Sequence, residues 1–134
     1  MDSMPKRFFT LEEAREALPR IRELMQQMVT MVVDLEEAKQ HVKVLAEKGE
    51  MNTGSAIGTL YIEGLAAISD HVAAIQETGC IVKSIDEGLV DFPHIREGRE
   101  VYLCWKHGEP DIRYWHEVDA GFAGRTPLDH DGSS

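Results

Sequence analysis

The chain is short of cysteine, short of basic residues and without a long apolar run, and each shortage removes a class of protein. Only two cysteines, Cys80 and Cys104, occur in 134 residues. They match no CxxC or CxH spacing, so they read as reduced thiols carried on strands in a cytoplasmic setting. Lysine and arginine number 14 against 24 aspartates and glutamates, a formal charge of −10. Phosphate binding needs a basic footprint, so neither nucleic acid nor an anionic membrane is the expected main partner. The longest greasy stretch, MVTMVV at 28–33, is far too short to span a bilayer. The opening MDSMPKRFF carries no apolar run of the signal-peptide kind, and a cytoplasmic location is expected.

Catalytic signatures are missing as well. HxH and HExxH do not occur, nor do GxSxG, GxxxxGK[ST] or GxGxxG. Those absences remove the zincin, nucleophile-elbow, phosphate-loop and dinucleotide fingerprints.

What remains is one domain over 1–134, with 43% hydrophobic residues and room for a real core. TLEE at 10–13 has capping-box spacing. Leu11, Ala14, Leu18, Ile21, Met25, Met28, Val32 and Leu35 then recur in steps of three and four. Ala17, Leu24, Met31, Ala38 and Leu45 form a second row beside the first. A wide stripe of this kind predicts a helix from about 11 to 48 that buries against more than one element. Pro19 predicts a kink, or a short helix handing over to a long one. KGEMNTGS at 48–55 reads as a turn, and a second helix follows over about 55–78. Gly64 on its inner side predicts a close helix–helix approach, and Gly79 the helix end.

After Gly79 the period becomes that of strands. CIVKSI at 80–85 and LVDFP at 89–93 predict a hairpin pairing Ile85 with Leu89 and Lys83 with Asp91, with Gly88 left-handed. EVYLCWK at 100–106 and DIRYWHE at 111–117 predict a second, with Trp105 opposite Ile112, Leu103 opposite Tyr114 and Val101 opposite His116. His116 then closes an apolar face of Val101, Leu103, Trp105, Ile112 and Tyr114, while Tyr102, Cys104, Arg113 and Trp115 face away. The expected fold is α+β: a long antiparallel helical hairpin over about 10–78, then an antiparallel sheet of about four strands over 80–118. A motif loop at 119–128 and a disordered tail at 129–134 complete it.

FTLEEAREALP, GLVDFP, REGREVYLCWKHGEP and WHEVDAGFAGRTPL together resemble a family of small prokaryotic proteins, the domain of unknown function family 2203. The likeness runs from about Lys6 to Leu128 and is most specific from Gly88 onward. It implies no activity, substrate or cofactor. It does mark the C-terminal motifs as the part that defines these proteins.

Chemistry concentrates in WHEVDAGFAGR at 115–125. His116 with Asp91 and Asp119 makes a candidate cluster for a divalent metal, while the expected register turns Cys104 and Glu100 away from it. Gly121 and Gly124 allow converging amides, and Arg125, helped by Arg96, could hold a small anion. Against these stand plainer readings: a core-edge histidine with one hydrogen bond, turn glycines, and Arg125 paired with Asp119 or Glu117. Cys104 reads as an inert packing thiol, and Glu37–His41 as a solvated pair.

The expected function is a small-ligand module for an anion or metal, with its site at the end of the last hairpin. Its candidate residues are His116, Arg125, Asp119, Asp91 and Arg96. The alternative is a structural or interaction protein that forms a homodimer through the helical hairpin, because the first helix outreaches the second. A hydrolase-like enzyme with His116 as base comes third.

Overall fold

The computed structural model describes residues 6–49 and 54–128. The centre of the expected KGEMNTGS turn and the expected tail at 129–134 lie outside the described residues. The first helix, α1, runs Leu11–Glu47, and the second, α2, runs Gly54–Glu77. Thr10 Oγ1 accepts from the Glu13 amide at 3.0 Å and the Glu13 carboxylate accepts from the Thr10 amide at 2.9 Å, completing the capping box. The helix continues through Pro19 without handing over to a second one. The helices pack antiparallel: a Cβ at Gly64 would come within 2.8 Å of Leu35, and Gln27 is hydrogen-bonded to His71 at 2.9 Å.

The sheet has five strands rather than four, each antiparallel to the next in chain order. They are β1 (Ile81–Ser84), β2 (Leu89–Arg96), β3 (Arg99–Lys106), β4 (Tyr114–Glu117) and β5 (Thr126–Pro127). The extra strand is the two-residue return of the motif loop, which pairs Thr126 with Trp115. The core lies between one sheet face and α1. Val90, Phe92, Leu103 and Trp105 from the sheet pack in one buried cluster with Leu18, Ile21, Met25 and Met28, joined by Ile68 and Ile75 of α2. Each such side chain contributes about 1.5–3 kcal/mol. Beyond Met28 no residue of α1 is fully buried; Val29, Met31, Val32 and Leu35 pack partly buried against the core cluster.

Both expected registers are corrected. In the first hairpin Lys83 is bulged out: Val82 pairs with Val90, Ile81 with Asp91, and Ser84 rather than Ile85 with Leu89. Gly88 is left-handed as expected, with φ +68°. In the β3–β4 hairpin the ladder is shifted by one residue, with Cys104 opposite Tyr114, Leu103 opposite Trp115 and Tyr102 opposite His116. The cause is the connection 107–113. Ile112 leaves the ladder to enter the core, its amide taken by the Asp111 side chain at 2.8 Å and its carbonyl by Arg15 of α1 at 3.0 Å. Glu109 accepts the Lys106 amide at 2.7 Å, and Arg22 donates to the Pro110 carbonyl at 2.9 Å.

A one-residue slip moves every side chain of a strand to the other face. Trp115 therefore packs partly buried on the helix side, and Tyr114 and His116 stand on the far side with Asp91, Tyr102 and Cys104. Strand β2 also runs on through Pro93, whose carbonyl accepts from the Phe9 amide at 2.7 Å. Its missing N–H thus faces away from β3. The β2–β3 turn is the two-residue pair Glu97–Gly98, with φ of 52° and 80°, the left-handed pair that tight hairpins favour.

Two turn glycines test this geometry. Gly98 has open space where a Cβ would go, so Gly98→Ala carries backbone strain alone, about 1 kcal/mol. At Gly88 the same substitution also drives a Cβ to 2.6 Å from His107 Cβ, for a total of about 3 kcal/mol. Denaturant unfolding should rank Gly88→Ala well below Gly98→Ala; equal losses would contradict the turn geometry.

Candidate functional site

The far face of the sheet gathers three groups that seldom meet without a reason. Asp91 of β2 is opposite Cys104 of β3, and His116 of β4 is opposite Tyr102. The side chains of Asp91 and His116 are each 2% exposed, and Cys104 is 1% exposed. One ligand atom from each lies within 4.8 Å of the other two. Above them runs the segment between β4 and β5, with one 3-10 turn at Phe122–Gly124. A cavity of about 120 Å³ separates segment and sheet, lined by the three groups with Val118, Gly121, Phe122, Leu89 and Lys83.

The hydrogen bonds of His116 fix its roles. Nδ1 lies 2.7 Å from the Glu117 carbonyl, which can only accept, so Nδ1 carries a proton. Nε2 lies 3.0 Å from Asp91 Oδ1, and that contact needs one shared proton or a cation between the two atoms. The Tyr102 ring packs edge-on to the imidazole, centroids 5.5 Å apart. The second carboxylate oxygen, Asp91 Oδ2, is buried with no hydrogen-bond partner. Orphaned buried acceptors are costly, about 1–3 kcal/mol each, so this one asks for an explanation.

Electrostatics reinforce that demand. Burial raises the Asp91 pKa above its ordinary value, opposed by His116, Lys83 and the adjacent Cys104 thiol. Burial, followed by the Asp91 charge, pushes the Cys104 thiol up to about 12, while Arg125 pulls the other way. With no cation present Cys104 is therefore a neutral thiol at pH 7 and a poor nucleophile.

The structure brings together some of the residues expected from sequence and separates others. His116 and Asp91 meet. Arg125 reaches the neighbourhood of Cys104, but its guanidinium is stacked 4.0 Å from the Tyr114 ring centroid and 4.1 Å from that of Phe122. It pairs with Glu109 at 2.9 Å rather than with Asp119 or Glu117. Glu117 is held by Arg99 instead. Arg96 is on the helix side of the sheet, over the Trp115 ring at 4.9 Å, and takes no part in the cluster. Asp119 is exposed in the turn after β4. The amides of Gly124 and Arg125 donate to the Gly121 and Phe122 carbonyls within the loop, so they are not aimed at an anion.

His116 is the residue that the expected register turned the wrong way, and its misplacement is what left Cys104 out of the cluster. A usable signal was present. Reading Glu97–Gly98 as a two-residue hairpin turn puts Cys104 directly opposite Asp91, whatever happens at β4.

A family model described as Uncharacterized conserved protein (DUF2203) matches residues 7–128, and the chain belongs to that family. No curated protein and no solved structure matches it.

Both thiols are buried, and burial raises the Cys80 thiol to about 11 and the Cys104 thiol to about 12. A thiol reagent at pH 8 should find almost no reactive cysteine in the native metal-free protein and both after denaturation. Prompt labelling of Cys104 in the folded protein would contradict this environment.

Proposed function

We propose that this member of the family is a metal-binding module, with Asp91, Cys104 and His116 as ligands to a zinc-like divalent ion. The observation that carries the reading is the convergence of imidazole Nε2, thiol and carboxylate in one buried group with the imidazole already oriented. A histidine that ligates through Nε2 commonly gives its other N–H to a carbonyl, and Glu117 supplies that carbonyl. The thiol and imidazole select a borderline-soft ion, and one carboxylate suits zinc rather than magnesium or calcium.

Tetrahedral zinc sets its ligand atoms about 3.5 Å apart, and the three here already lie within 4.8 Å of one another. A cation also meets both costs of the site. It engages the orphaned carboxylate and turns the raised thiol into a thiolate ligand. A hydrogen-bonded brace needs only Asp91 and His116, with Cys104 as a neutral thiol beside the carboxylate, whereas a cation uses all three groups as ligands.

Titration with zinc, followed by desalting and elemental analysis, is expected to retain about one ion per chain. Cys104→Ser and His116→Ala should each weaken binding by more than about 100-fold. Arg96→Ala, on the opposite face, should leave it unchanged. Binding should tighten as pH rises, because the Cys104 proton must leave. Wild-type protein that retains no zinc, copper, cobalt or nickel would overturn the reading.

One further observation favours association as a second property. Past Met28 α1 continues for about 28 Å with no fully buried residue, and Val33 and Val44 of α1 and Leu60, Ile62 and Leu65 of α2 are exposed. Leu60 and Ile62 are 63% and 67% exposed. A second copy is the occupant we favour, since two such hairpins side by side make a four-helix bundle, and Ile62 and Leu65, three positions apart on α2, share the face it would cover on each copy. Light scattering should give twice the chain mass, reduced to one by Ile62→Glu with Leu65→Glu. A wild-type monomer at high concentration would exclude it.

A further inference from the structure

Three protein ligands leave a tetrahedral ion one position short, and the cavity adjoins all three. Among the described residues no fourth histidine, cysteine or carboxylate joins the group. The remaining walls have a definite chemistry. Leu89, Val118 and Phe122 are apolar, and Lys83 is the one ionisable wall outside the triad. Lys83 is exposed, so it stands at the solvent side of the cavity, and its ammonium lies 5.2 Å from the Tyr102 ring centroid.

Charge decides what fits. Bound to a divalent ion, the Asp91 carboxylate and the Cys104 thiolate cancel its two charges. Arg125 is matched by Glu109, which leaves the Lys83 ammonium unbalanced at the cavity. At the mouth of a pocket whose other walls are largely apolar, that positive charge favours a negative ligand over a neutral one. A volume of about 120 Å³ matches about four water molecules, enough for four or five heavy atoms.

We infer that the metal's open position takes a small monoanion of the short-chain carboxylate class, its carboxylate between the ion and Lys83 and its alkyl end against Leu89, Val118 and Phe122. This rests on the metal reading above. It also separates the centre from a purely structural ion, which would be closed by a fourth protein ligand.

Cobalt(II)-loaded protein tests it, since the visible bands of cobalt report changes in its ligands. Acetate is expected to shift the bands saturably, whereas benzoate, too large for the cavity, leaves them unmoved. Lys83→Met should keep the cobalt spectrum and weaken acetate about tenfold, as loss of one charge-assisted hydrogen bond would. Bands that ignore acetate overturn this inference alone, and so does benzoate binding as tightly as acetate. Unchanged acetate affinity in Lys83→Met also overturns it. Absence of any cobalt bands overturns the metal reading and this one with it. The acetate–benzoate comparison decides the matter even if Lys83→Met fails to fold.

Discussion

The register of the β3–β4 hairpin is the constraint on which the rest depends. It is set by the connection 107–113, not by the strands themselves. Ile112 is drawn into the core, Arg15 and Arg22 of α1 hold two carbonyls of the connection, and the Trp105 indole donates to the Glu109 carbonyl at 2.9 Å. The Glu109 carboxylate also takes Arg125 from the segment over the far face. One residue thus ties the loop that fixes the register to the cover that encloses the site. Long-range packing against a helix decides which way a histidine points.

Given that register, the far face carries a burden unusual for a small domain. An aspartate, a cysteine and a histidine are buried under one short segment, away from the main core. Burying a charge is expensive unless it is paired, and here only one carboxylate oxygen is partnered. The apolar face against α1 supplies the stability that tolerates this arrangement. The two faces differ in kind: one is the apolar core against the helices, and the other buries the Asp91, Cys104 and His116 group.

Much of this was legible in the sequence. The stripe from Leu11 to Met28 is the buried face of α1, Thr10 and Glu13 are its cap, and Gly64 is where the helices approach. Alternation marked β3 as a two-faced strand. Asp91 and His116 could be named as partners because few residue types suit a site and both lie near strand ends. The register was not legible, because Ile112 looks like a strand residue and its departure depends on α1, nearly a hundred positions away. Arg96 was misplaced for a related reason. Strand β2 runs through Pro93, and three more residues of alternation carry Arg96 to the helix side. Asp119 simply follows the end of β4, where no ladder holds it inward.

The central claim is that one divalent ion sits between Asp91, Cys104 and His116. Anomalous diffraction at the zinc edge, from crystals grown with stoichiometric zinc, tests it most directly. The account predicts one strong peak within about 2.0–2.3 Å of His116 Nε2, Cys104 Sγ and an Asp91 carboxylate oxygen. A map with no peak there, and His116 Nε2 still hydrogen-bonded to Asp91 Oδ1, would contradict it.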